Sequence, residues 1–66
     1  MVTVSVNGVP KEVAATTVAD LVGALGLVGK RIAVERNGDI VPRSRYAETR
    51  IASGDRLEIV GAVGGG

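Results

Sequence analysis

A chain of 66 residues with eight basic and seven acidic side chains, a net charge of +1, leaves room for one small domain. It has no cysteine, no histidine and a single aromatic residue, Tyr46. Disulfide or zinc stapling, thiol and imidazole catalysis, base stacking on aromatic platforms and charge-driven binding of polyanions are therefore excluded as ordinary devices.

Val2, Val4 and Val6 alternate with Thr3 and Ser5, the period of a half-buried strand. Asn7-Gly8 is the dipeptide that favours a tight hairpin turn, and Val9 to Val13 reads as the return strand. Pro10 cannot donate to a ladder, which places that strand at a sheet edge. The period then changes: Val18, Leu21, Val22 and Leu25 make a single helical stripe. Thr17 stands at the N-cap, Asp20 favours the positive end of the helix dipole, and Gly26 fits the left-handed stop. Gly23 weakens the helix by about 1 kcal/mol relative to alanine, so a sheet behind it has to hold it. Ile32 to Arg36 reads as a strand, Asn37-Gly38-Asp39 as a turn, and Ile40-Val41 as a short strand stopped by Pro42. Arg43 to Thr49 is polar and reads as irregular, with at most one helical turn capped by Ser44. Ser53-Gly54-Asp55 is a turn, and Arg56 to Val60 a last strand with Leu57 and Ile59 on one face.

This order gives an α+β domain in which one amphipathic helix covers one face of a mixed sheet. The helix supplies the crossover that lets the first and last long strands lie side by side in parallel. Such an arrangement is the β-grasp, the fold of ubiquitin, one of a few topologies the pattern permits. It is expected over residues 1–60, with a Gly-rich tail over 61–66. Val4, Val6, Leu21, Val22, Leu25, Val34, Leu57 and Ile59 are the expected aliphatic core.

Little in the body of the chain points to chemistry. Asp20, Glu35, Asp39, Glu48, Asp55 and Glu58 have no paired spacing and read as a solvated surface. Arg43, Arg45 and Arg50 form a small basic cluster that reads as a solvated loop rather than an anion site. No apolar run approaches the roughly 18 residues of a membrane span, and MVTVSVNG lacks the charged and apolar regions of a signal peptide. A cytoplasmic location is expected.

The tail differs. Gly64, Gly65 and Gly66 follow the last strand, and a frayed end explains them as readily as a functional one. Without Cβ atoms, such a segment can thread a channel that admits only backbone, and residues 61–66 reach about 20 Å when extended. A terminal carboxyl, with an ordinary pKa of about 3.3–3.7, is ionised at neutral pH and can attack phosphorus. The last five or six residues are expected to be mobile. Val60, Ala62 and Val63 beside them either form a docking surface for a partner or complete the edge of the core.

VTVSVNG, TTVADLVGALGL, RIAVERNGDIVPRSRYAET, SGDRLEIVGAV and the terminal glycine pair resemble the ThiS family, the sulfur carriers of thiamine thiazole biosynthesis, over essentially the whole chain. VPRSRYAET followed by GDRLEIV and GG is the most specific part; family members often carry Trp where Tyr46 stands. The resemblance implies a carrier rather than an enzyme. A ThiF-like adenylyltransferase using ATP and Mg²⁺ would convert the Gly66 carboxylate to an acyl adenylate, with Gly64 and Gly65 threading the partner's channel. A persulfide from a donor such as a cysteine desulfurase would displace AMP, and reduction would leave a thiocarboxylate. A ThiG-like thiazole synthase would then take the sulfur into the thiazole ring, with a deoxyxylulose phosphate as carbon partner. The chain itself would bind no cofactor or metal, and would have no nucleic-acid or membrane partner. The absence of cysteine agrees, since sulfur must then be held on the C-terminus or not at all. A MoaD-type carrier for molybdopterin synthesis shares the fold and the diglycine. A ubiquitin-like modifier, joined through Gly66 to lysines of target proteins, fits the same outline, and so does a bare interaction module.

Overall fold

Each Asn-Gly dipeptide closes a hairpin. Asn7 and Gly8 take φ values of 52° and 84°, and Asn37 and Gly38 take 52° and 91°, the paired positive angles of a type I′ turn. The first turn joins β1 (Val2–Val6) to β2 (Val9–Val13), and the second joins β3 (Ile32–Arg36) to β4 (Asp39–Val41). Helix α1 (Val18–Ala24) lies between the hairpins; a 3₁₀ helix (Arg43–Glu48) and β5 (Arg56–Gly61) follow them. The computed structural model describes residues 1–61.

The strands form one mixed sheet in the order β2-β1-β5-β3-β4. β5 enters its middle, parallel to β1 with Val6 opposite Leu57, and antiparallel to β3 with Val34 opposite Ile59. This is the expected β-grasp, and Pro10 lies on edge strand β2, opposite Ser5.

Seven residues are too few for a helix that stands alone, so caps and packing hold α1. The Asp20 N–H donates to the Thr17 hydroxyl at 3.2 Å, and the Asp20 carboxylate accepts from the N–H groups of Thr16 (3.1 Å) and Thr17 (3.2 Å). That reciprocal cap satisfies the first turn, and the two backbone donors hold the Asp20 carboxyl below its ordinary value of 3.8. At the other end the Leu27 N–H donates to Val22 O (3.0 Å) and the Gly26 N–H to Gly23 O (3.1 Å), with Gly26 at φ 72°.

Val18, Leu21 and Val22 of α1 pack against Val4, Val6, Val13, Val34, Val41, Leu57 and Ile59 of the sheet, and against Ile51. Leu25, expected in the core, is only partly buried, because α1 ends at Ala24 and a surface groove opens below the end of its apolar stripe. Ile51 enters the core from outside any helix or strand. Its N–H donates to Thr16 O at 3.0 Å, and the Val18 N–H donates to Thr49 O at 2.9 Å, so residues 49–51 run alongside the start of α1. The stretch before it, expected to be irregular, is 3₁₀ helical, and Pro42 rather than Ser44 occupies its N-cap. Pro42 presets φ at −63°, and its carbonyl accepts from the Arg45 N–H at 2.8 Å, so no hydroxyl is needed.

No helix of the described residues is long and apolar enough to cross a membrane. Gly61, counted with the tail by composition, ends β5 opposite Ile32. Ala62 to Gly66, and the expected mobility of the tail, lie outside the described residues.

Candidate functional site

Alternation along β5 sends Leu57 and Ile59 into the core and leaves Arg56, Glu58 and Val60 on the uncovered face of the sheet. Val60 lies opposite Ala33 and is 58% exposed; Ile40, on the same face, is 64% exposed. Glu58 stands directly across from Glu35, so this face mixes a pair of like charges with an apolar end. Of the expected docking residues Val60, Ala62 and Val63, the first is thus accessible beside the end of β5. The other two, and Gly64, Gly65 and Gly66, lie outside the described residues.

On the opposite face, where β1 and β5 end and β3 begins, a groove of about 560 Å³ opens beside Gly61. Val6, Leu25, Leu27, Ile32 and Ile59 give it an apolar floor, and Asn7, Lys30, Arg31 and, at the sheet end, Val60 complete its lining. The Asn7 side chain is hydrogen-bonded to β5 on both sides of its carboxamide. Its Nδ2 donates to Ile59 O at 2.8 Å, and its Oδ1 accepts from the Ile59 N–H at 2.8 Å.

The start of β5 is held electrostatically. Asp55, expected on a solvated surface, is 7% exposed. The turn before β5 is tied to β1, with the Gly54 N–H donating to Thr3 O at 2.8 Å, and side chains of the second hairpin close over it: Arg36 Nε donates to Asp55 Oδ2 at 2.7 Å. The Ala52 N–H donates to Oδ2 at 2.8 Å and Asn37 Nδ2 to Oδ1 at 3.1 Å. Burial alone pushes the Asp55 carboxyl up, but these three donors and the Arg36 charge outweigh it and hold the group below 3.8. A carboxyl with a depressed folded-state pKa contributes stability that is complete above its unfolded value and is lost as pH falls through the folded one. Urea midpoints should therefore drop below about pH 4. Asp55→Asn should cost about 1–2 kcal/mol at pH 7, since it turns an NH₂ toward the Asn37 donor. The gap between the two proteins should narrow by pH 3, and a gap independent of pH would show that the pair does not couple to folding.

The expected basic cluster is divided among separate tasks. Arg43 Nη2 donates to Lys30 O at 3.3 Å, Arg45 pairs with exposed Glu48 at 2.9 Å, and Arg50 forms a backbone bridge with Thr17. Among the described residues, no three acidic side chains converge to hold a metal ion. What the described residues show is a central strand gripped at both ends, whose last residue, Gly61, directly precedes residues 62–66 in the chain.

Compared with known proteins, residues 4–66 match the ThiS family model. The sulfur carrier protein ThiS of Bacillus subtilis is 42% identical over 50 residues, 76% of either chain. A thiazole synthase of Paramagnetospirillum magneticum is 47% identical over 62 residues, covering 92% of this chain and 19% of its own length. The chain likewise spans 20% of a thiazole synthase of Magnetococcus marinus, at 36% identity. The crystal structure of the thiamine biosynthesis protein ThiS of Geobacter metallireducens superposes with a TM-score of 0.82 at 31% identity, covering 97% of this chain and 99% of that one.

Proposed function

The chain belongs to the ThiS family, and we propose that it carries sulfur for thiamine biosynthesis as a thiocarboxylate on Gly66. The observation that carries this proposal is the family match from residue 4 through Gly66, across a β-grasp whose central strand leads directly into the glycine tail.

The chemistry follows from a carboxylate with no nucleophilic or acid–base help from its own domain. A Gly66 oxygen attacks the α-phosphorus of ATP and pyrophosphate leaves, with Mg²⁺ and catalytic groups supplied by a ThiF-like adenylyltransferase. A persulfide from a donor such as a cysteine desulfurase attacks the acyl carbon, AMP leaves, and an acyl disulfide forms. Two electrons from a thiol cleave the S–S bond and leave the thiocarboxylate. Gly64 and Gly65 give the end a profile no wider than backbone, and Val60, Ala62 and Val63 contribute to docking. The consumer is a ThiG-like thiazole synthase: two proteins of that name carry a stretch resembling this chain within a single polypeptide. The work is that of a cytoplasmic co-substrate rather than an enzyme. The relatives named above favour the thiamine pathway over a MoaD-type role.

Mass spectrometry tests the proposal after incubation with the adenylyltransferase, ATP, Mg²⁺ and a sulfur donor. The chain should gain the mass of one oxygen-to-sulfur exchange, confined to its C-terminal fragment. No gain, or sulfur found elsewhere on the chain, would overturn it.

A further inference from the structure

β1 ends at Val6, yet β5 continues past Leu57, the partner of Val6, to Gly61. On one side these later residues stay paired with β3 as far as Ile32. On the other side the Asn7 N–H donates to Leu57 O at 2.9 Å, and the chain then turns away at Gly8. Beyond that point the Asn7 carboxamide takes the place of a strand. It has the donor and the acceptor of a peptide group, and it uses both on Ile59, at 2.8 Å each. The first hairpin thus adds one more rung to the parallel ladder through a side chain.

We infer that Asn7 is a positioning residue for the chain end: by gripping the Ile59 backbone it fixes Val60 and Gly61, and so the point from which residues 62–66 reach a partner. This role presupposes that Gly66 carries the sulfur. Without the rung, the last residues of β5 hang from β3 alone and behave like the end of an edge strand. Each residue that a partner must order on binding weakens association by about tenfold. Freeing Val60 and Gly61 therefore raises KM. It leaves kcat nearly unchanged, because the seated end presents the same reacting atoms.

Asn37 is the internal control. It holds the same place in the other Asn-Gly turn and grips the opposite end of β5, where its Oδ1 accepts from the Arg56 N–H at 2.8 Å and its Nδ2 donates to Asp55. The experiment measures KM and kcat of the ATP-dependent activating enzyme by ATP–pyrophosphate exchange, with wild type, N7G, N7D and N37G as substrates. Amide exchange at Ile59, the donor to Asn7 Oδ1, and at Val60 is read in parallel. Glycine keeps the positive φ of the turn, so N7G removes the carboxamide without straining the backbone. N7D keeps the size of the side chain but sets a carboxylate against Ile59 O. Both should raise KM by about 10–100-fold with kcat within about twofold, and both should speed exchange at Ile59, whose N–H loses its acceptor, and at Val60. N37G should leave KM within about twofold, because the end of β5 next to the tail keeps its grip. Wild-type KM in N7G and N7D, or an equal rise in N37G, would overturn the role. A wild-type chain that the enzyme does not activate would overturn the carrier proposal and this role together.

Discussion

One alanine added after Gly66 is expected to cut thiocarboxylate formation by at least about 100-fold while leaving the domain folded. The addition moves the carboxyl by about 3.3 Å, whereas displacements of about 1 Å already cost that much in an aligned reaction. It also adds a methyl group to an end that, under the proposed function, is otherwise no wider than backbone. Gly65→Val should fail for a related reason, since a β-branched side chain restricts the backbone and widens it. Folding should be indifferent to both changes, because every buried apolar side chain among the described residues falls between Val4 and Ile59. Circular dichroism should show unchanged domains, and mass spectrometry after the sulfur-transfer incubation should show modified wild type and unmodified variants. Equal modification of the extended chain would show that Gly66 is not the carrier group.

Leu21→Ala is expected to remove about 2–5 kcal/mol, most of what a domain of this size has. Leu21 has no exposed surface, sits at the middle of α1 and shares one buried cluster with Val4, Val34 and Leu57 of the sheet. A seven-residue helix with a glycine inside it cannot persist undocked, so the loss should fall toward the upper end of the range. The neighbouring core comes mainly from stiff Val and Ile side chains, which close poorly over a cavity. Urea unfolding followed by far-UV circular dichroism should show a low midpoint or no native baseline for Leu21→Ala. Val60→Ala, on the open face, should stay within about 0.5 kcal/mol of wild type. A Leu21→Ala cost below about 1 kcal/mol would mean that the helix does not hold the core together.

What the sequence showed plainly is what is encoded locally. The Asn-Gly turns, the Thr17–Asp20 cap, the Gly26 stop and the alternation of β1 and β5 each depend on residues within one turn or strand of one another. The misses are long-range. Ile51 is the one branched aliphatic residue in a mainly polar stretch, and the docking of residues 49–51 beside α1 buries it. Asp55 had no visible partner because Arg36 reaches it from the end of β3, 19 residues earlier in the chain. The helical stripe identified the face on which Leu25 lies but not where the sheet beneath it ends. Asn7 was fully accounted for by its turn conformation, which hid the second task of its side chain on Ile59. At the site, composition singled out the glycines and alternation set Val60 outward, while the sulfur chemistry came from family resemblance alone.

The central place of β5 has a consequence for the order of events during synthesis. Among the described residues, β5 is the only strand between the two hairpins, and it pairs residues from opposite ends of the sequence, such as Ser5 with Arg56. Neither hairpin joins the other within the sheet until β5 has emerged from the ribosome and slipped between them. Loop closure over nearly the whole chain then has to precede the stabilising contacts, so folding waits for the C-terminal segment. A nascent or truncated chain that stops before β5 has two isolated hairpins and no assembled sheet. The assembled sheet therefore forms only in chains that have already made the strand leading to Gly66, and a product that stops short of it lacks the folded body altogether.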